Sequence, residues 1–205
     1  MDEIPRSTIE RLPLYKKTIQ TLVLSGQTHA SSEEIARLIH LSDAQIRKDL
    51  SYFGNFGVRG KGYDLESLIE KISEILGTTR LFPCVLVGVG NLGQALLSYG
   101  GFEDRNFKIE AAFDADPEKT GKTFGDCEVH PANQLGNYLD DSDIELAILA
   151  VPAPAAPDVF ETLVDHDVRG ILNFAPFVPE VPEGVAVESV DLSTNLEVLA
   201  YFLNN

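Results

Sequence analysis

Tryptophan is absent from this sequence, methionine occurs once, and cysteine only twice, at Cys84 and Cys127. With no CxxC and no Cys/His ligand spacing, two distant cysteines signal neither a disulfide framework nor a zinc site, so no metal is expected. Buried free thiols are the plain expectation. A thiol redox switch is the alternative, although no basic residue flanks either cysteine to lower its pKa. Long hydrophobic runs are missing too: none approaches the roughly 18 apolar residues that span a bilayer, and the opening MDEIPRSTIERLPLYKK has none behind its basic residues. No membrane partner is expected, and the expected location is the cytoplasm. Positive charge is also scarce, with 16 Lys and Arg against 32 Asp and Glu and a formal net charge of −16.

That scarcity is uneven. Residues 1–80 carry 11 charges of each sign, whereas residues 81–205 carry 5 basic and 21 acidic ones. Two regions with different electrostatic roles are implied. The acidic second region would repel nucleic acid at long range, so any DNA contact falls to a small patch of the first. A length of 205 residues, 44% of them hydrophobic, suits a folded protein of one large domain or two modest ones.

In the first region, Pro13 suits a helix start, and Tyr15, Ile19, Leu22 and Val23 follow at helical spacing up to Ser25-Gly26. Ser31 and Glu34 form a capping-box pattern ahead of Ile35, Leu38 and Ile39, predicting a second helix of about two turns. Ser42 and Gln45 repeat the pattern before a third helix whose inward face is Ile46, Leu50 and Phe53. Opposite that face stand Ala44, Lys48 and Ser51, flanked by Arg47 and Tyr52. Small and cationic residues together suit a helix that approaches base edges while reaching phosphates.

The stretch RKDLSYFGNFGVRGKGY, residues 47–63, packs four basic residues, four glycines and four aromatics into seventeen positions. Arg59 and Lys61 stand two apart, on one face of a Gly-rich hairpin around Gly60. A basic hairpin after a recognition helix is a wing, and an arginine at its tip suits a narrow minor groove. A fourth helix over Leu65–Leu76 leads to the linker GTTR at 77–80, completing a winged helix-turn-helix over residues 1–80.

The second region opens with an apolar run, Cys84–Val87, that feeds into Gly88-Val89-Gly90-Asn91-Leu92-Gly93 and a helical pattern. A further strand, IEAAFD, ends in Asp114, twenty-one residues beyond Gly93. Strand, GxGxxG, helix, strand and acidic residue together predict a dinucleotide site, with pyrophosphate at the helix start and Asp114 at the ribose hydroxyls. Asp114 favours NAD(H) over NADP(H), while Lys119 and Lys122 act against that preference. A glycine turn in some other α/β domain is the alternative.

Helix and strand patterns then alternate through ANQLGNYL, LAILAV, residues 155–166, GILNF and VAVESV. The expected fold class is α/β, with a Rossmann-type doubly wound parallel sheet over residues 81–190. Val151-Pro152 and Phe174-Ala175-Pro176 lie where walls for the nicotinamide half are expected, or are plain strand terminators. In residues 191–205, Thr194 and Glu197 pattern as a capping box, and Leu192, Leu196, Leu199 and Leu203 form an apolar stripe. That helix either closes its own sheet or crosses to a second chain, with a dimer favoured.

A dehydrogenase needs a second domain to hold substrate and supply a general acid or base. About 110 residues of dinucleotide domain beside the winged helix leave no room for one, and none of His29, His40, His130 and His166 is evidently set for catalysis. The cofactor therefore reads as a signal, with no catalytic residue and no enzyme expected.

IPRSTIERLPLY, QIRKDLSYFGNFGVRGKGY, LVGVGNLGQAL, FDADPEKTG, ILNFAP and VESVDL resemble, in order and nearly end to end, the motifs of Rex, the bacterial redox-sensing transcriptional repressor family. The resemblance implies a homodimer with exchanged carboxyl-terminal helices. It implies binding to an inverted-repeat operator when free or NAD+-bound, and release by NADH as a regulatory ligand. It places Arg47, Lys48 and Ser51 in the recognition helix, Arg59 to Lys61 in the wing, and Arg11 in the leading helix near the phosphates. It further implies that Tyr99 and Asp191 distinguish the redox states, with Lys17 standing where the family carries an arginine. Two other readings remain open: a winged-helix regulator of another nucleotide such as coenzyme A, and a small NAD-dependent oxidoreductase.

Overall fold

Pro5, with φ at −59°, presets the backbone for the first helix, which starts one residue later in a computed structural model describing residues 4–58 and 60–204. Helix α1 runs over Arg6–Leu24, so Pro13 lies inside it rather than at its start. Proline there removes one N–H from the helix ladder. Pro13 and Ile9 both sit on the exposed side of the helix, where solvent can reach a carbonyl that lacks its helical donor. The buried face is Thr8, Leu12, Tyr15 and Ile19, and polar Thr8 hid the first two turns from an apolar-periodicity reading.

The chain divides into two compact units, Met1–Arg80 and Leu81–Asn205. In the first, α2 spans Ser32–Ile39 behind a complete capping box. The Ser31 hydroxyl accepts from the Glu34 N–H at 3.1 Å, and the Glu34 carboxylate accepts from the Ser31 N–H at 2.7 Å. His40, left-handed at φ 55°, turns the chain into α3, Asp43–Ser51. Helix α4 covers Leu65–Ile75, capped by Asp64, whose carboxylate accepts from the Ser67 N–H at 2.9 Å. Strands β1 (His29–Ala30), β2 (Gly57–Val58) and β3 (Gly62–Asp64) form an antiparallel sheet in the order β1-β3-β2. Leu12, Tyr15, Ile19, Ile35, Ile46, Leu50 and Ile72 fill the core beneath it.

The second unit holds a seven-stranded sheet of β4 (Phe82–Val87), β5 (Phe107–Asp114), β6 (Thr123–Phe124), β7 (Cys127–Pro131), β8 (Leu146–Leu149), β9 (Gly170–Asn173) and β10 (Ala186–Ser189). Its order is β10-β9-β8-β4-β5-β7-β6, parallel except where β6 meets β7. From β4 the chain moves outward through β5 and β7, then returns to β8 on the other side of β4. That reversal puts a topological switch point beside the end of β4. Helix α5 (Asn91–Leu97) follows β4, α6 (Leu135–Asp140) follows β7, and α7 (Ala156–Asp165) follows β8.

Alternate strand residues feed opposite faces. Val85, Val87, Ala111, Phe113, Ala147 and Leu149 join the core that includes α6 and α7 residues, while Cys84, Leu86, Ala112, Val129 and Ile148 join the one that includes Leu96 and Leu97 of α5. Burial on both faces explains the unbroken apolar runs. Cys84 and Cys127 are free and buried, and burial pushes the Cys84 thiol up to about 12. Strand β5 lies between theirs, so their backbones stand two strand spacings apart, roughly 9 to 10 Å. A disulfide does not span that distance without backbone movement.

Helix α8, Leu192–Asn204, begins two residues before Thr194, so the expected Thr194–Glu197 box falls inside the helix. Asp191 caps it instead, its carboxylate accepting from the Ser193 N–H at 2.8 Å. No residue of α8 is buried, and Leu196, Leu199, Phe202 and Leu203 are all more than half exposed. The helix does not close the sheet of its own chain. Among the described residues, no helix is long and apolar enough to cross a membrane, and no group of three His, Cys, Asp or Glu is able to hold a metal ion.

Candidate functional site

Helix α3 turns Ile46, Asp49 and Leu50 inward and leaves Ala44, Arg47, Lys48 and Ser51 exposed, with Tyr52 half-buried at its end. The Lys48 ammonium has no partner among the described residues. Arg47 holds Asp43 one turn back and the Ser32 hydroxyl at 3.1 Å. An exposed pair of this kind contributes little to stability. In the wing, the Lys61 N–H donates to the Val58 carbonyl at 2.9 Å, closing a turn around Gly60, which has φ 81° and open space where a side chain would point. Arg59 lies outside the described residues. Gly62 acts through packing, because at φ 79° a methyl there would strike the Ala30 carbonyl, so glycine lets β3 lie against β1.

Asp49 is the feature that sequence reasoning missed. It counts there as the one acid opposing four cations, yet its side chain is 1% exposed. Its Oδ1 accepts from Thr8 Oγ1 at 3.0 Å, Arg11 Nη2 at 2.8 Å and Gln45 Nε2 at 2.8 Å. Its Oδ2 accepts from Arg11 Nε at 2.6 Å and the Tyr15 hydroxyl at 2.5 Å. Burial alone would raise the Asp49 pKa, but the hydrogen bonds from Arg11, Tyr15, Gln45 and Thr8 outweigh it and hold the carboxyl at about 2. Gln45 reaches forward to Asp49, so the Ser42 box is only half made: Ser42 accepts from the Gln45 N–H at 3.1 Å with no side chain returning. Arg11, expected beside the phosphates, has two of its nitrogens committed to Asp49 and a side chain that is 25% exposed.

In the second unit, backbone hydrogen bonds continue past the strand ends. The Gly88 N–H donates to the Phe113 carbonyl, the Ala150 N–H to that of Val87 and the Phe174 N–H to that of Leu149, each at 2.8 Å. These bonds carry the glycine turn, Val151-Pro152 and Phe174-Ala175-Pro176 to one edge of the sheet. Asn173, buried to 1%, accepts from the Ala175 N–H at 2.9 Å and donates to the Phe177 carbonyl at 3.0 Å, fixing that last loop. Within the glycine turn, the three glycines differ in role. A methyl on Gly88 would meet the Ala150 carbonyl and one on Gly93 the Gly88 carbonyl, whereas Gly90 faces nothing within 4 Å. Two glycines therefore permit close packing, and the third leaves open space at the start of α5.

Asp114 ends β5 with its side chain 11% exposed. It accepts from the Val89 N–H at 2.7 Å and the Asp116 N–H at 2.8 Å, and from Lys119 Nζ at 3.1 Å. Burial pushes its pKa up, but these N–H groups and Lys119 more than compensate and hold it below the usual carboxylate range. A carboxylate offers about four lone-pair sites, so three donors leave room for a ribose hydroxyl. Open space at Gly90 and this acceptor together fit the pyrophosphate and ribose of a dinucleotide.

Tyr99 is 58% exposed, edge-on to Phe102 at 5.2 Å, and its ring covers Gly101 so closely that a methyl there would collide with it. Asp191 caps α8 and is exposed, and Lys17 lies on the exposed face of α1. Neither Tyr99 nor Asp191 has the other as a partner among the described residues.

Two family models match the chain: a putative DNA-binding protein N-terminus over residues 3–51 and a CoA binding domain over residues 79–177. The Redox-sensing transcriptional repressor Rex of Carboxydothermus hydrogenoformans is 46% identical over 199 residues, covering 97% of this chain and 96% of that one. That of Streptomyces coelicolor is 45% identical over 97% of this chain and 77% of its own. Among solved structures, RSP in complex with β-NAD+ and operator DNA superposes with a TM-score of 0.93 at 32% identity, over 100% of this chain and 94% of that one. RSP with β-NADH gives 0.91 at 31%, over 100% and 96%. Recognition helix, wing, glycine turn and acid-ended strand thus occur in one chain whose whole length is shared with these repressors, and the chain belongs to the Rex family.

Proposed function

We propose that this chain is a redox-sensing transcriptional repressor that binds inverted-repeat operator DNA when free or NAD+-bound and releases it on binding NADH. The observation that carries the reading is full-length similarity to one repressor family, with solved relatives that hold NAD+ and operator DNA in one case and NADH in another. Lys48, Arg47 and Ser51 read the major groove and its phosphates, and Lys61 with the wing contacts the adjacent backbone. Gly88 to Gly93 bind pyrophosphate through backbone N–H groups, and Asp114 takes ribose hydroxyls. Val151-Pro152 and Phe174-Ala175-Pro176 flank the nicotinamide half.

The bound dinucleotide supplies a charge difference, one positive charge on its oxidised ring. Ligands shift a two-state equilibrium only by their differential affinity for the two states. Tyr99 and Asp191 read the difference. Lys17 stands where the family resemblance leads to an arginine, and lysine offers a single ammonium in place of a planar fork. The uncovered apolar helix α8 packs on a second copy, giving a homodimer whose two-fold axis matches an inverted repeat. The chain performs no turnover, and its place of action is the cytoplasm, with the operator.

Isothermal titration tests the ligand assignment. NADH should bind one site per chain, coenzyme A should fail to displace it at tenfold excess, and a panel of small carbonyl compounds should produce no NADH consumption. Displacement by coenzyme A would overturn the ligand, and steady turnover would restore the enzyme.

A further inference from the structure

The recognition helix is seated by two kinds of contact. Ile46, fully buried, and Leu50, 3% exposed, press it into the core. Hydrophobic burial is non-directional and tolerates small rolls and slides. Asp49 is different, because hydrogen bonds weaken steeply when distance or angle departs from ideal. Its carboxylate is gripped by three side chains of α1, Thr8, Arg11 and Tyr15, which contribute four hydrogen bonds between 2.5 and 3.0 Å. A fifth comes from Gln45 of its own helix at 2.8 Å. Both oxygens are filled, and no buried side-chain polar atom among the described residues lacks a partner. Asp49 lies next to Lys48 and two residues from both Arg47 and Ser51. At about 100° per residue, whatever fixes its direction fixes theirs.

We infer that Asp49, held by Thr8, Arg11 and Tyr15, is the positioning residue that sets the roll of the recognition helix on helix α1, and that Arg11 serves DNA recognition through Asp49 rather than as a phosphate ligand. This rests on the DNA-binding reading above. Arg11 suits this role because Nε and Nη2 form one edge of a planar fork and meet both carboxylate oxygens, a geometry that lysine cannot supply. The two roles therefore separate by substitution. A phosphate ligand tolerates lysine and, when lost altogether, lowers the salt slope of binding by about one. A fork that orients a carboxylate does not tolerate lysine, and its loss leaves the slope unchanged while sequence discrimination falls.

The test uses the full chain and the inverted-repeat duplex that wild type enriches most strongly from a random pool, with a scrambled duplex of equal length as the non-specific probe. Arg11→Lys, Arg11→Ala and Tyr15→Phe are compared with wild type by fluorescence anisotropy over a salt series. Tyr15→Phe retains the buried ring and removes one hydrogen bond, so it keeps the test alive if an arginine variant fails to fold. Circular dichroism and NADH titration report the fold and the second unit. The expected result is a selected-to-scrambled affinity ratio lowered about tenfold by Tyr15→Phe and further, to similar extents, by Arg11→Lys and Arg11→Ala, with slopes unchanged. Lower stability alone would weaken both duplexes equally and leave the ratio intact, and that outcome overturns the inference. So does Arg11→Lys with wild-type ratio and slope beside Arg11→Ala with a slope lower by one. Failure of wild type to enrich any duplex would instead overturn the DNA-binding reading itself.

Discussion

Lys119 places its ammonium 3.1 Å from Oδ2 of Asp114, on the same oxygen that accepts the Val89 N–H at 2.7 Å. The acidic residue at the proposed ribose position is therefore partly neutralised from within the chain. Asp114→Ala should weaken NADH binding about tenfold, the value of a charge-assisted hydrogen bond or two, and narrow the gap between NADH and NADPH. Lys119→Ala should widen that gap, because a bare carboxylate repels a 2′-phosphate more strongly. Parallel NADH and NADPH titrations measure both, and a narrower gap for Lys119→Ala would contradict the assignment.

The glycines of the turn predict opposite phenotypes. Gly90 faces open space with φ at −76°, so Gly90→Ala should fold with an unchanged melting temperature yet lose NADH affinity tenfold or more. Gly93→Ala drives a methyl into the Gly88 carbonyl, a backbone clash of about 1 to 3 kcal/mol, and should lower the melting temperature. Thermal unfolding followed by far-ultraviolet circular dichroism, with NADH titration beside it, checks the pair.

Asp49 links stability to acid. Its carboxyl stands at about 2 in the folded chain against an ordinary value of 3.8. A depressed folded value means that the contribution, about 2 kcal/mol, is present above pH 4 and lost as pH falls toward 2. Asp49→Asn should lower the stability of the first unit at pH 7 and flatten its pH dependence between 4 and 2. Urea unfolding at a series of pH values measures both, and a variant that kept the wild-type slope in that interval would contradict the assignment.

Arg47 and Lys61 should divide DNA binding between them. Arg47→Ala is expected to relax sequence preference by about tenfold, the loss of a bidentate base contact. Lys61→Ala is expected to weaken all duplexes alike and lower the salt slope by about one. Anisotropy over a salt series with matched and scrambled duplexes separates the two patterns.

Much of the fold was legible because periodicity and caps act locally. Ser31 with Glu34, the strand before Gly88 and Asp114 at the end of β5 are set by near neighbours in sequence. What stayed hidden depends on distant partners. Asp49 lies 38 residues from Arg11, and a buried carboxylate reads in sequence like any surface acid. Strands β1 and β6 are two residues each, too short for a pattern. Pro13 reads in sequence as a helix start, whereas its place inside α1 depends on lying on the exposed face. The stripe on α8 announced an apolar face, but only the structure left it uncovered by its own chain.

The central claim, that NADH drives this chain off DNA, is tested most directly by anisotropy of the selected inverted-repeat duplex titrated with protein at fixed NADH or NAD+. The account predicts that saturating NADH weakens binding at least tenfold while NAD+ leaves it near that of the free chain. An affinity indifferent to NADH up to millimolar concentration, with NADH binding confirmed by titration, would contradict it.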